Sequence, residues 1–118
     1  MADEIQMSAR LYASKNGASI NAQTWTAVAN MTGTDMGQTT QEVGTSDEVL
    51  SITADLALPY KCLVYNMDLQ YSVYLGPSSP YSFEIPPQEF ILIPRANATL
   101  YVKAVTNPLK IFAQFCEI

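Results

Sequence analysis

The residues able to do chemistry are few, and the chain of 118 residues contains no histidine at all. That removes the commonest general base and metal ligand, and with them every Ser-His or Cys-His arrangement for nucleophilic catalysis. Carboxylates remain: Asp47-Glu48, or Asp35 with Glu42, are the pairs that could act as acid and base or hold calcium. Neither pair lies in an EF-hand loop or at a metal-ligand spacing, and neighbours on a strand point to opposite faces. They read as solvated loop carboxylates. Gly33, Gly37 and Gly44 form no phosphate loop, because neither GxxxxGK[ST] nor GxGxxG is present. No enzyme, cofactor or metal site is expected.

Cys62 and Cys116 are the only cysteines and lack a CxxC spacing. With no secretion signal they are expected as free thiols in core strands; a disulfide would require neighbouring strands with Cα atoms about 5.5 Å apart. Trp25 and the seven tyrosines could form a sugar-stacking platform, but core and cross-strand packing accounts for them as well. Asn30-Met31-Thr32 and Asn97-Ala98-Thr99 match the glycosylation sequon. The acidic N-terminus MADEIQMSAR has no apolar core of a signal peptide, so both sequons read as turn residues of a chain made and kept in a cytosol.

Composition narrows the partners. A net charge of −5, with six scattered basic residues, argues against nucleic acid and against an anionic membrane surface. No apolar run approaches the ~18 residues of a membrane helix. With 48 % hydrophobic and 14 % charged residues, the chain can bury enough surface to offset its conformational entropy.

The elements that must position these residues are strands. Ile5, Met7, Ala9, Leu11 and Ala13 alternate with polar neighbours, the period of a half-buried strand. Asn16-Gly17 then signals a type I′ hairpin turn, with Ala18 to Val28 returning antiparallel. Met1 to Glu4 fall outside the strand and are expected as an N-terminal arm before a domain spanning 5–118. Asn30 to Thr45, rich in Thr, Gly and Gln, reads as a long loop and a candidate contact surface.

Lys61 to Gly76 reads as two apolar strands folded back on each other around a polar turn at Met67-Asp68. Short runs follow at Tyr81 to Ile85, Phe90 to Ile93, Thr99 to Val105 and Leu109 to Ile118, separated by Gly, Pro and Asn turns. The expected fold is all-β: an antiparallel β-sandwich, jelly roll or barrel of about eight strands. In the last strand Leu109, Ile111, Ala113 and Phe115 share one face, and Lys110, Phe112, Gln114 and Cys116 the other. Both faces are partly apolar, the pattern of a strand covered on two sides, as another subunit would do.

Gly44-Thr45-Ser46-Asp47-Glu48 before a strand, Asn66-Met67-Asp68 at a turn and Tyr71-Ser72-Val73-Tyr74-Leu75-Gly76 as the following strand resemble a family of small structural proteins of tailed bacteriophages. The resemblance runs on through Pro87, Glu89, Phe90, Leu92, Ala96, Tyr101, Lys103 and Ala104, and back to Asn16-Gly17 and Met31-Thr32-Gly33. It departs at Gln88 and Tyr60, where the family tends to have Gly.

The resemblance implies a virion component on the capsid surface: a decoration or cement protein bound to the major capsid protein, as a homo-oligomer with a trimer favoured. The expected contact residues are Ala2, Asp3, Glu4 and Ile5 of the arm and Met31, Asp35 and Met36 of the long loop, together with Trp25. The alternatives are a tail, neck or head-fibre component, or a carbohydrate-binding attachment module.

Overall fold

The computed structural model describes residues 4–20, 23–31, 33, 35–51, 58–77 and 80–118. These residues contain strands and turns and no α-helix. They fall into two compact units, residues 1–32 and 33–118.

The first unit is a two-stranded ribbon. β1 (Glu4–Arg10) pairs antiparallel with β4 (Thr24–Asn30) in unbroken register, from Glu4 opposite Asn30 to Arg10 opposite Thr24. Beyond it, β2 (Ser14–Lys15) and β3 (Ala18–Ser19) close the tip. The turn between them has Asn16 at φ 52° and Gly17 at φ 81°, the pair of left-handed residues that a type I′ turn requires. The expected hairpin is therefore present, but its returning limb is split between β3 and β4. Glu4, assigned to the arm, already belongs to β1, and the arm's Ala2 and Asp3 lie outside the described residues.

The second unit is a sandwich of two four-stranded antiparallel sheets. One has the order β10 (Phe90–Ala96), β7 (Tyr60–Asn66), β12 (Leu109–Glu117), β5 (Met36–Val43); the other runs β6 (Glu48–Val49), β11 (Tyr101–Ala104), β8 (Val73–Gly76), β9 (Phe83–Ile85). Apart from the β8–β9 hairpin, each successive strand lies in the sheet opposite its predecessor. That is the eight-stranded jelly roll, in which the chain crosses repeatedly between sheets.

The alternation of the late strands holds except at Phe115, which is half-buried. Leu109, Ile111 and Ala113 are buried, as are Val102 and Ala104 opposite them in the other sheet, in one continuous core with Val64, Val73 and Leu75. Burying these side chains is worth roughly 1.5–3 kcal/mol each for the larger ones.

Two expectations are corrected. Residues 30–45 are not a long loop, because β5 occupies Met36–Val43 and pairs with β12 along its whole length. Its sequence, MGQTTQEV, has few apolar residues because it lies at a sheet edge, where backbone pairing on one side and only Val43 fully in the core suffice.

Lys61 to Gly76 is also not a hairpin: β7 pairs with β10 and β12, whereas β8 pairs with β11 and β9. The connection is an arch between sheets, held by the fully buried Asn66. Its Nδ2 donates to the carbonyls of Tyr71 and Ile85 at 2.9 and 3.0 Å, and its Oδ1 accepts from the Asp68 N–H at 3.0 Å. Asp68 Oδ2 in turn accepts from the N–H groups of Gln70 and Tyr71.

Candidate functional site

The carboxylate pairs are not brought together as chemistry would need. Asp35 and Glu42 stand at opposite ends of β5, about 23 Å apart at the ordinary strand rise. Asp47 accepts a hydrogen bond from the Tyr81 hydroxyl at 2.6 Å, while the Glu48 carboxylate accepts one from the Gly44 N–H. Among the described residues no group of three or more His, Cys, Asp or Glu side chains is gathered as a metal site would be.

The cysteines lie on neighbouring strands but out of register: Cys62 faces Phe115, and Cys116 faces Lys61. Adjacent registers place them on opposite faces of the sheet, and both are free thiols. Burial, with Cys116 contributing second, pushes the Cys62 thiol up to about 12. Desolvation raises Cys116 as well, against the opposing pull of Lys61. Neither has the lowered pKa of a reactive thiolate.

The aromatic residues are dispersed. Tyr60 is buried, its hydroxyl donating to the Ala98 carbonyl at 2.8 Å. Tyr74 and Tyr81 stack on each other at 5.7 Å with 7° between their planes. Desolvation first and the Asp47 contact second push Tyr81 up to about 12.

What the structure does assemble is apolar surface, in two places. The first is the ribbon. Its register puts Ile5, Met7 and Ala9 on one face with their partners Ala29, Ala27 and Trp25, an entirely apolar face, whereas the other is mostly polar, with Glu4, Gln6, Ser8, Arg10, Thr24, Thr26 and Asn30 around the one exposed apolar residue, Val28. Along the apolar face exposure rises towards the tip: Ile5 is 8 % exposed and Met7 half-buried, but Ala9 and Ala27 are exposed and Trp25 is 69 % exposed. Leu11, at 78 %, extends the exposed apolar surface beyond the end of β1. Tyr12 beside it carries the Arg10 guanidinium 5.6 Å over its ring.

A two-stranded ribbon is marginal in water when nothing covers its apolar face. The unit also has no net charge, since Asp3 and Glu4 are matched by Arg10 and Lys15.

The second place is the outer face of the β10-β7-β12-β5 sheet. Phe90 lies opposite Tyr65, Tyr65 opposite Phe112, and Phe112 opposite Thr40, so one row across the sheet is aromatic over three strands. In the next row Leu92 and Leu63 meet Gln114 and Gln38. Phe90 is an exposed large apolar residue and the others are half-buried or exposed.

Of the expected contact residues, Trp25 stands exposed on the ribbon, Ile5 is buried and Glu4 is exposed opposite Asn30. Met31 is half-buried. Asp35 is exposed just before β5, its N–H and carbonyl bonded to Glu117, and Met36 opens β5 on the outer sheet face. Sequence reading missed the outer row because Phe90, Tyr65 and Phe112 are far apart in the chain. The one available signal was the two-sided apolar pattern of the last strand. Scans against family models, curated proteins and solved structures return no match for this chain.

Proposed function

We propose that this chain is a structural protein of a bacteriophage virion, a capsid decoration (cement) protein that binds the major capsid protein lattice and stabilises the head. The observation that carries the reading is the apolar face of the two-stranded ribbon, exposed from Ala9 and Trp25 to Leu11. The resemblance in the turns and strands of the jelly roll supplies the virion, and jelly rolls are a common architecture of viral capsid proteins.

In this reading the jelly roll is a rigid mount and the ribbon a docking element. It gains its stability when its apolar face is covered by capsid protein, so binding to the assembled lattice shifts the disassembly equilibrium by linkage. A symmetric homo-oligomer, with a three-fold position favoured, multiplies modest contacts into avidity.

The test uses heads that lack the protein. Added back, the full chain should bind in a copy number that follows the capsid lattice, shift the emission of its single Trp25 to the blue, and raise the resistance of the heads to heat and osmotic shock. Binding in the symmetry of the neck or tail alone, or heads that survive equally well without it, overturns the reading. A second reading, a carbohydrate-binding attachment module, draws on the stacked Tyr74–Tyr81 pair beside Asp47. It requires glycan-array binding that Tyr81→Ala abolishes.

A further inference from the structure

We infer that the free edge of β5 is a pairing site for a second copy of this chain, joining two jelly rolls into one continuous eight-stranded sheet. The four edge strands of the sandwich are unequal. β6 and β9 are two and three residues long. β10 carries Pro94 and a register break between Ile93 and Ala96, and Lys61 Nζ donates to the Pro94 carbonyl at 2.8 Å. Short length, proline, bulges and lysine are the usual ways of keeping an edge from pairing with another chain.

β5 has none of them. It runs eight residues in unbroken register with β12, without Pro, Lys or Arg, and no described strand pairs with its other side. The Asp35 carbonyl accepts from Glu117 of β12. Alternation then turns the N–H and C=O groups of Met36, Gln38, Thr40 and Glu42 towards the free edge. Such an edge binds an added strand through its main chain.

Self-complementarity identifies the occupant as a second copy. A two-fold axis normal to the sheet pairs residues that lie on the same face, and placing the axis at Thr40 sets Thr40 opposite Thr40 of the partner subunit. Gln38 then meets Glu42 of the partner subunit, and Thr39 meets Gln41 of the partner subunit. The only charged residue of the strand faces an amide, not its own copy, and Thr–Thr and amide pairs are favourable across strands. Centring on Thr39 would instead oppose Glu42 to Met36.

The Thr40 register also continues the outer row Phe90–Tyr65–Phe112–Thr40 directly into its copy. One apolar band would then cross both subunits. This pairing stands apart from the capsid reading, and it is compatible with a three-fold assembly only as a hexamer.

Sedimentation of the full chain in solution, without capsid, tests it. The expected particle has an even number of subunits. Thr40→Lys, which places two ammonium groups together at the axis, should halve the mass. So should Thr40→Pro, whose missing N–H faces the free edge and leaves the β12 ladder intact. In a Cys116→Ser background, Thr40→Cys should form a disulfide-linked dimer under mild oxidant, because paired residues across strands lie within disulfide reach; Gln38→Cys should not. A wild-type monomer or trimer, an assembly unchanged by both Thr40→Lys and Thr40→Pro, or failure of Thr40→Cys to cross-link overturns the inference. If the Thr40→Pro chain is unfolded by circular dichroism, Thr40→Lys and the cross-link decide.

Discussion

The ribbon of residues 4–31 and the jelly roll of residues 33–118 use the same material to opposite ends. In the jelly roll, alternating strands turn Val64, Val73, Leu75, Val102 and Ile111 into a shared core with no measurable exposure. The single buried amide among them, Asn66, has its hydrogen bonds met on both its oxygen and its nitrogen. In the ribbon a similar alternation, interrupted by Val28 on the polar face, yields an apolar face that ends in exposed Trp25 and Leu11. Charge divides the same way: the ribbon is balanced, so the formal −5 of the chain resides entirely in residues 33–118. Alternation therefore marks which face is apolar, while the presence of a second sheet decides whether that face is core or exposed.

If the jelly roll alone supplies the stability, its core must be intolerant where the ribbon is not. Val73→Asp puts a carboxylate at a site with no exposure and should cost more than about 4 kcal/mol, enough to abolish cooperative thermal unfolding in a domain of ordinary stability. A folded, normally stable Val73→Asp protein would show that the arch is not central to the core.

Asn66→Leu strands the carbonyls of Tyr71 and Ile85 and the N–H of Asp68, and should cost about 3 kcal/mol in urea denaturation. Trp25→Ala reverses the pattern. Denaturant stability should move by less than about 0.5 kcal/mol, whereas, on the proposed capsid role, affinity for capsid should fall about thirty-fold, the loss of a contact worth about 2 kcal/mol. Equal losses of stability and affinity would erase the division between mount and docking element.

The pH response belongs to the jelly roll. Cys62, whose thiol is pushed from the ordinary 9.0 up to about 12 by burial, holds its proton more tightly folded than unfolded. The stability it lends is complete below about pH 9 and is lost as pH rises towards 12, at no more than about 1.4 kcal/mol per pH unit. The urea midpoint should decline over that window, and the decline should lessen in Cys62→Ala. At neutral pH a thiol reagent should label Cys116, which is partly exposed, and reach Cys62 only on unfolding.

The smallest effect expected is a gain. Gln88 sits at φ 60° in the turn after Ile85, a left-handed conformation costly for a side-chain-bearing residue, so Gln88→Gly should add about 1 kcal/mol. The resemblance expects Gly at this position, and the backbone shows why one would fit.

The legible parts were those governed by neighbours in the chain. Asn16-Gly17 called for two positive φ angles and has them, and the face of Leu109, Ile111 and Ala113 could be read from period two alone. β7 ends at Asn66, directly before the turn read at Met67-Asp68. The illegible parts depended on pairing. β5 escaped notice because an edge strand backed by β12 needs few apolar residues. β7 and β8 looked like a hairpin because apolar alternation is the same whether two strands share a sheet or face each other across a core.

By itself, then, the sequence determined that the chain is all-β, with the Asn16-Gly17 turn and the last strand near their observed places and no histidine chemistry. Only the tertiary structure decided which strands pair, that Phe90, Tyr65 and Phe112 meet in one row, and that Trp25 stands exposed. Local backbone preference acts over a few residues, whereas pairing and exposure are set by contacts between segments far apart in the chain.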